Sequence, residues 1–357
     1  MVKLSNTLGF DAWFREQADP DRLAAGEIAR VTAAHRERYT VSRGQAEIPA
    51  EVTGKLMFSA ESPLDFPAVG DWVSVQYFDD ATGAIIDAVL PRKTVLKRKT
   101  SGKRIDFQLI AANIDIGLIV QALDADFNLR RLERYLVMLH DARIHPEVLL
   151  SKSDLLSPEQ VADKIAAIHD LMPDVGVTVF SNKTGSGLED VRALLPPHRT
   201  GCMLGSSGVG KTTLLNSLVG HDQFATRAIR DKDGKGRHTT TSRQLIRLPA
   251  GALLIDTPGM RELGNIAVEA GIEETFGEIS ALAGRCRFAD CSHTQEQGCA
   301  ILAALASGDI SNERYESFMK LARESAFHEM SFLEKKQKDR RFGKMVKTVM
   351  KHKKTRR

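Results

Sequence analysis

The sequence predicts a multidomain α/β protein. It should comprise an N-terminal OB-like β-barrel, a central α/β P-loop domain with circularly permuted motifs, and a C-terminal mostly helical metal-binding domain. Three observations carry this prediction. Short β-rich runs punctuated by glycine fill residues 26–99, and buried strands alternate with helices over 100–265. Three cysteines and a histidine then fall within 14 residues inside 266–335. Residues 1–25 read as an N-terminal arm and 336–357 as a basic tail. A chain of 357 residues is long enough for two or three cores.

Composition excludes some classes. Hydrophobic residues make up 42% and charged residues 27%, as in ordinary globular domains. No run of 18 apolar residues occurs, so no membrane span is expected. The first ten residues lack a basic start and an apolar stretch, so a cytoplasmic location is the expectation, and the chain is expected to be a monomer. Net charge is +4, but residues 335–357 carry twelve Lys/Arg and one Asp, a local +11 that leaves about −7 elsewhere. Such a tail suits a nucleic-acid backbone; a solvated tail without a partner is the plain alternative.

The barrel rests on β-rich runs at 28–31, 39–41, 52–58, 71–78 and 84–89. The oligonucleotide-binding barrel is one fold of this size, and other small barrels fit the pattern equally. The central domain rests on buried strands at 114–120 and 147–150 and helices at 129–140 and 157–171. That alternation implies a parallel sheet covered on both faces.

Residues Gly205, Ser206, Ser207, Gly208, Val209, Gly210, Lys211 and Thr212 match GxxxxGK[ST], with Thr213 next. The glycines let the backbone curl so that amides face phosphates, and the following helix adds its dipole. Lys211 would reach the β- and γ-phosphates, and the Thr212 hydroxyl would ligate Mg²⁺. Asp256-Thr257-Pro258-Gly259 follows a buried strand. Its carboxylate would hold Mg²⁺ through water, and the Gly259 amide would sense the γ-phosphate. Between these motifs, Thr239 or Thr240 is the expected switch ligand to Mg²⁺. Met260 stands where a water-orienting Gln is found in Ras-like enzymes, so His238 is the candidate for that task, or a partner supplies it.

Ser151-Lys152-Ser153-Asp154 approximates the base-reading motif Asn-Lys-x-Asp. Its Asp accepts from guanine N1–H and N2–H₂, and adenine offers no such donors. Ser151 replaces an Asn that normally braces this loop against the phosphate loop, so weaker guanine affinity is expected. Ser181-Asn182-Lys183 resembles the second base-contacting loop. In ordinary small GTPases the base-reading motif comes last; here it precedes the phosphate loop. That order points to a circularly permuted GTPase.

Cys286, Cys291, His293 and Cys299 supply three thiolates and an imidazole, the donor set of a closed structural Zn²⁺ site. An iron–sulfur site, or a disulfide plus a spare thiol, are the alternatives. Cys202, in an apolar run, reads as a buried small hydrophobe.

Together these residues resemble the ribosome small-subunit-dependent GTPase A family. The likeness covers about 26–335 and includes Gln108 to Asn113, Arg237 to Thr241 and the stretch Cys286 to His293. The resemblance implies an oligonucleotide-binding barrel, a permuted GTPase and a zinc domain. It also implies late maturation of the small ribosomal subunit, with rRNA contacts in the GTP state, subunit-stimulated hydrolysis to GDP and phosphate, and release. Two other readings stay open: a phosphate-loop ATPase or kinase, and a non-enzymatic RNA-binding module with a relic nucleotide site.

Overall fold

The computed structural model describes residues 6–35, 38–99, 107–220, 243–256 and 269–329. The N-terminal arm holds two short helices, α1 (Ala12–Gln17) and α2 (Pro20–Ala25), each capped by an aspartate side chain (Asp11, Asp19). Phe10 and Phe14 bury themselves against Trp72, with Phe10 4.7 Å from the indole centroid. The arm is thus stapled to the barrel by aromatic burial.

Strands β1 (Ile28–His35), β2 (Arg38–Ser42), β3 (Glu47–Val52), β4 (Trp72–Phe78) and β5 (Gly83–Val89) close a barrel in the order β1-β2-β3-β5-β4, with β4 returning to β1. The β3–β5 pairing is parallel and the others are antiparallel. Its floor is Val31, Val41, Val73, Val75 and Ile86, all fully buried.

One expected strand is corrected. The run 52–58 is largely a helix, α3 (Gly54–Ser59). The Thr53 side chain accepts from the Leu56 amide and starts it, and Lys, Leu and Met then favour the helix. The third strand lies earlier and contains Pro49. That proline is tolerated because β3 pairs there with β2 alone; its parallel pairing to β5 begins at Ala50.

Strands β6 (Val95–Lys99) and β7 (Phe107–Ala112) form a separate antiparallel pair. The central domain follows, with β8 (Ile116–Ala122), α4 (Leu129–Asp141), β9 (His145–Ser151), α5 (Pro158–His169), β10 (Gly176–Val179), α6 (Leu188–Ala193), β11 (Thr200–Leu204), α7 (Lys211–Val219), β12 (Arg243–Arg247) and β13 (Leu253–Asp256). Spatial order is β10-β9-β8-β11-β13-β12; the first five are mutually parallel and β12 is antiparallel. Beyond β12 the sheet continues into the barrel, because Ala33 and Ala34 of β1 pair with Gln244 and Arg243.

The C-terminal helices are α8 (Glu269–Thr275), α9 (Gly277–Ala283), α10 (Ala300–Ser307) and α11 (Asn312–Glu329). The C-terminal helical region is interrupted at Gly308, which caps α10 at φ 84°. These helices dock on α4. Arg314 is buried and bonds Glu133 Oε1 at 2.6 Å, Glu278 Oε1 at 2.7 Å and the Thr275 carbonyl at 2.7 Å. Arg134 pairs with both carboxylate oxygens of Glu324. α8 crosses α4 so closely that a Cβ on Gly271 would lie 2.0 Å from the Val137 carbonyl oxygen. Among the described residues, no helix is long and apolar enough to cross a membrane.

Candidate functional site

Parallel strands present all their C-terminal tips at one sheet edge, and ligands bind there in open α/β sheets. Three loops with motif residues follow the tips of β9, β10 and β11, and the motif residue Asp256 ends β13. The shuffled order along the chain therefore costs nothing in space.

The phosphate loop joins β11 to α7. Gly205, Gly208 and Gly210 have φ of 142°, 85° and 95°. A side chain at Gly205 would clash with the Val120 carbonyl, 2.3 Å from its Cβ. Gly210 caps α7, which directs the positive end of its dipole into the loop. Lys211 Nζ donates to the carbonyls of Gly205 (2.7 Å) and Ser206 (2.6 Å), which holds the ammonium across the loop. Ser206 Oγ donates to Asp126 Oδ2 at 2.6 Å, and Arg131 pairs with that carboxylate at 2.8 Å. Ser207 is half-buried, Val209 is fully buried, and Thr212 and Thr213 stand exposed on the first turn of α7. Asp256 ends β13, one strand away from the loop's own β11. Burial raises its carboxyl above the ordinary value, and Lys211 partly offsets that.

The base-reading loop is tied to the phosphate loop. Ser151 ends β9 fully buried, and its Oγ donates to the Val209 carbonyl at 2.7 Å. The shorter serine thus makes a brace of the kind its sequence position assigned to an asparagine. Lys152 adopts φ 62°, and its Nζ bonds Asp124 Oδ2 at 2.7 Å, which holds Asp124 below the usual carboxylate range. The Ser153 amide donates to the Phe180 carbonyl. Asp154 Oδ1 accepts from Ser181 Oγ at 2.5 Å, and chiefly that bond keeps the carboxyl low, with Lys183 3.9 Å away.

Ser181 organises the third loop. It is fully buried, and its Oγ accepts the amides of Lys183 (3.1 Å) and Thr184 (3.2 Å). Asn182 Nδ2 donates to the Gly210 carbonyl at 3.2 Å, a second tie to the phosphate loop. The structure therefore brings together Ser151 to Asp154, Ser181 to Lys183, Gly205 to Thr213 and Asp256. The remaining expected residues, His238, Thr239, Thr240 and Gly259, lie outside the described residues.

Sequence reasoning missed Asp124 and Asp126, whose carboxylates hold Lys152 and Ser206. Their signal was position: both follow the tip of the buried strand β8 at the ligand-binding edge.

The second centre lies between α9 and α10. The ligand atoms of Cys286, Cys291, His293 and Cys299 all lie within 4.8 Å of one another. Cys286 Sγ is 3.9 Å from Cys299 Sγ, and each is 3.6 Å from His293 Nδ1. Tetrahedral Zn²⁺ with bonds of about 2.3 Å to sulfur would separate its sulfurs by about 3.8 Å, so the donor set fits that ion. Amides of Ala300 and Leu302 face the Cys286 and Cys299 sulfurs, at 3.4 and 3.5 Å. The Tyr315 hydroxyl donates to the His293 carbonyl at 2.7 Å, tying the cluster to α11. Cys202 stays apart, and burial pushes its thiol up to about 12.

Comparison with known proteins adds the following. The RsgA GTPase family model matches residues 89–266. The chain is 45% identical over 329 residues to small ribosomal subunit biogenesis GTPase RsgA 2 of Lactiplantibacillus plantarum, covering 92% of each. It is 38% identical over 359 residues to the protein of that name from Vibrio parahaemolyticus, covering 100% of this chain and 96% of the relative. In fold it is similar to YjeQ from Thermotoga maritima (TM-score 0.61, 24% identity, 84% of this chain and 98% of that one). It is also similar to YloQ, described as a circularly permuted GTPase (TM-score 0.59, 21% identity, 85% and 96%).

Proposed function

The chain belongs to the RsgA GTPase family, and from that premise we propose that it is a GTP hydrolase of small ribosomal subunit biogenesis, the role named for its relatives. The observation that supports this best is the set of hydrogen bonds joining the three loops: Ser151 to Val209, Ser181 to Asp154 and Asn182 to Gly210. One rigid cradle would then grip the guanine and its phosphates together.

In this reading Asp154 accepts from the guanine edge, while Lys152 and the 181–183 loop frame the ring. The amides of 205–211 and the Lys211 ammonium bind the β- and γ-phosphates. Thr212 and Asp256, with Thr239 or Thr240, would hold Mg²⁺, which neutralises charge on the transferred phosphoryl group. Gly259 senses that group, and water is oriented by His238 or by a group that the subunit supplies. Cys286, Cys291, His293 and Cys299 would hold one structural Zn²⁺, which would fasten the loop between α9 and α10. Barrel, metal domain and basic tail contact rRNA in the GTP state, and the protein leaves after hydrolysis. It works as a cytoplasmic monomer of five parts: 1–25, 26–99, 100–265, 266–335 and 336–357.

Turnover tests the reading. Activating partners raise such turnover by about 10³–10⁵-fold, so purified small subunits should raise steady-state GTP hydrolysis by the full chain by at least about 10²-fold. Large subunits alone should not. Equal stimulation by large subunits, or none by either, would overturn it.

A further inference from the structure

A second polar cavity lies at the opposite edge of the sheet from the nucleotide loops. It measures about 410 Å³ and opens where the arm, the barrel and the N-terminal ends of β9 and β11 meet. Its basic lining is Arg30, Lys93, Arg143, His145, His198 and Arg199. Two carboxylates line it, and each is already engaged: Asp11 by Lys93, and Asp115 by Arg199 at 2.8 Å. Glu147 reaches His145 Nε2 at 3.2 Å. The four fixed cations of the lining, Arg30, Lys93, Arg143 and Arg199, exceed the two lining carboxylates by two, although Asp115, Asp71 and Asp11 all act on the Arg30 charge. Arg30 is buried and spends its donors on three carbonyls, those of Leu8, Gly70 and Asn113. Arg143 is exposed, and among the described residues no hydrogen bond or ion pair engages its side chain.

The backbone adds an independent sign. Asn113, Arg143 and His198 all have positive φ, at 56°, 56° and 69°, and all three line this cavity. Arg143 follows the C-cap of α4, where the Ile144 amide returns to the Leu139 carbonyl. Glycine is the undemanding residue at such a position. The chain places an arginine there instead, and a histidine at the second strained position. The other described non-glycine residues with positive φ are Lys152 of the base loop, His293 of the metal cluster, and Asp79, Asp80 and Ala81 in the β4–β5 turn. Strain of this kind collects where a side chain is needed for a ligand.

We propose that this cavity binds a backbone phosphate of RNA. Arg143 and His198 would donate to the phosphate oxygens at the rim, and the Arg30 charge would attract the anion from the floor. A phosphodiester fits better than a hydrophobic ligand because unpaired cationic donors would be wasted on the latter. The inference rests on the rRNA partner proposed above and names one of its points of contact. It places an RNA contact at the sheet edge remote from GTP.

The test uses the full chain carrying Arg143→Gly, His198→Gly or both. Glycine relieves the backbone, so these variants should melt at or above the wild-type temperature. Binding to small subunits with a non-hydrolysable GTP analogue is then measured against KCl concentration. The double variant should bind more weakly, with a log–log salt slope flatter by about 1 for the lost phosphate contact. GTP affinity should not change. Unchanged subunit affinity and slope would overturn the proposal. If the wild type itself fails to bind small subunits, the functional reading fails separately. A fluorescein-labelled RNA hairpin then replaces the subunit: weaker hairpin binding by the double variant sustains the pocket, and equal binding removes it. Inorganic triphosphate that shifts the His198 ring resonances, with RNA binding unaffected by the substitutions, would mean a free-anion site and would also overturn it.

Discussion

At the residue scale, one hydroxyl holds the base loop to the phosphate loop. Ser151 Oγ is buried and donates to the Val209 carbonyl. Replacing it with alanine leaves a buried acceptor without a donor, a loss of about 1–3 kcal/mol. If that cost falls on the nucleotide-bound conformation, Ser151→Ala should weaken GDP binding by about tenfold or more in titration calorimetry. A change under about twofold would show that the brace does not shape the site. Asp256 yields a pH prediction. Burial raises its pKa above the ordinary 3.8, so the folded protein keeps this proton at pH values where the unfolded chain has released it. The group therefore favours folding most below the unfolded value, and that contribution is lost as pH rises through the folded one. Mg²⁺ needs the carboxylate, so its effect runs the other way. The Mg²⁺-dependent gain in GTP affinity should shrink as pH falls through the raised value. Asp256→Asn should show a small gain and no such pH dependence.

At the element scale, α4 ties the two centres together. One side of it reaches the phosphate loop, because Arg131 holds Asp126, which holds Ser206. Its Glu133 is buried against Arg314 and Ser317 of α11. Arg314→Leu would leave that glutamate buried without its cation, a loss of about 3–5 kcal/mol. Hydrogen exchange should then rise across 269–329 first, while GDP binding persists; uniform loosening of the whole chain would contradict this docking. How much of these elements the sequence revealed follows from what each one depends on. The buried strands and α4 were legible because apolar period and length decide them. The helix at 54–59 was not, because its apolar residues lack a buried face: Met57 is 48% and Phe58 95% exposed. Glu47–Val52 was hidden by its proline, tolerable only because β3 has one neighbour there. The nucleotide loops were legible as short motifs. Asp124 and Asp126 belong to no motif, and only the fold places them beside Lys152 and Ser206.

At the scale of the whole molecule, permutation leaves the sheet order intact and changes what the chain attaches to its edges. β12 leaves the phosphate-loop side of the domain and pairs directly with β1, so the barrel extends the nucleotide sheet. The metal domain follows the last strand and returns to α4. Both outer bodies thus rest on elements that touch the nucleotide loops. The β1–β12 pairing was not legible in the sequence, because the two strands are more than 200 residues apart and neither carries a signal for the other.

Nucleotide selectivity tests the central claim most directly, namely that three loops from a shuffled chain form one guanine-reading site. Equilibrium titration of the full chain with GDP and ADP, repeated on Asp154→Asn, separates the outcomes. The account predicts GDP preferred by at least about 10³-fold, because adenine leaves the Asp154 carboxylate unpaired. Asp154→Asn should lose most of that preference and gain affinity for xanthosine diphosphate, whose ring oxygen accepts from the new amide. Equal binding of GDP and ADP by the wild-type protein, or an Asp154→Asn variant with undiminished preference, would contradict it.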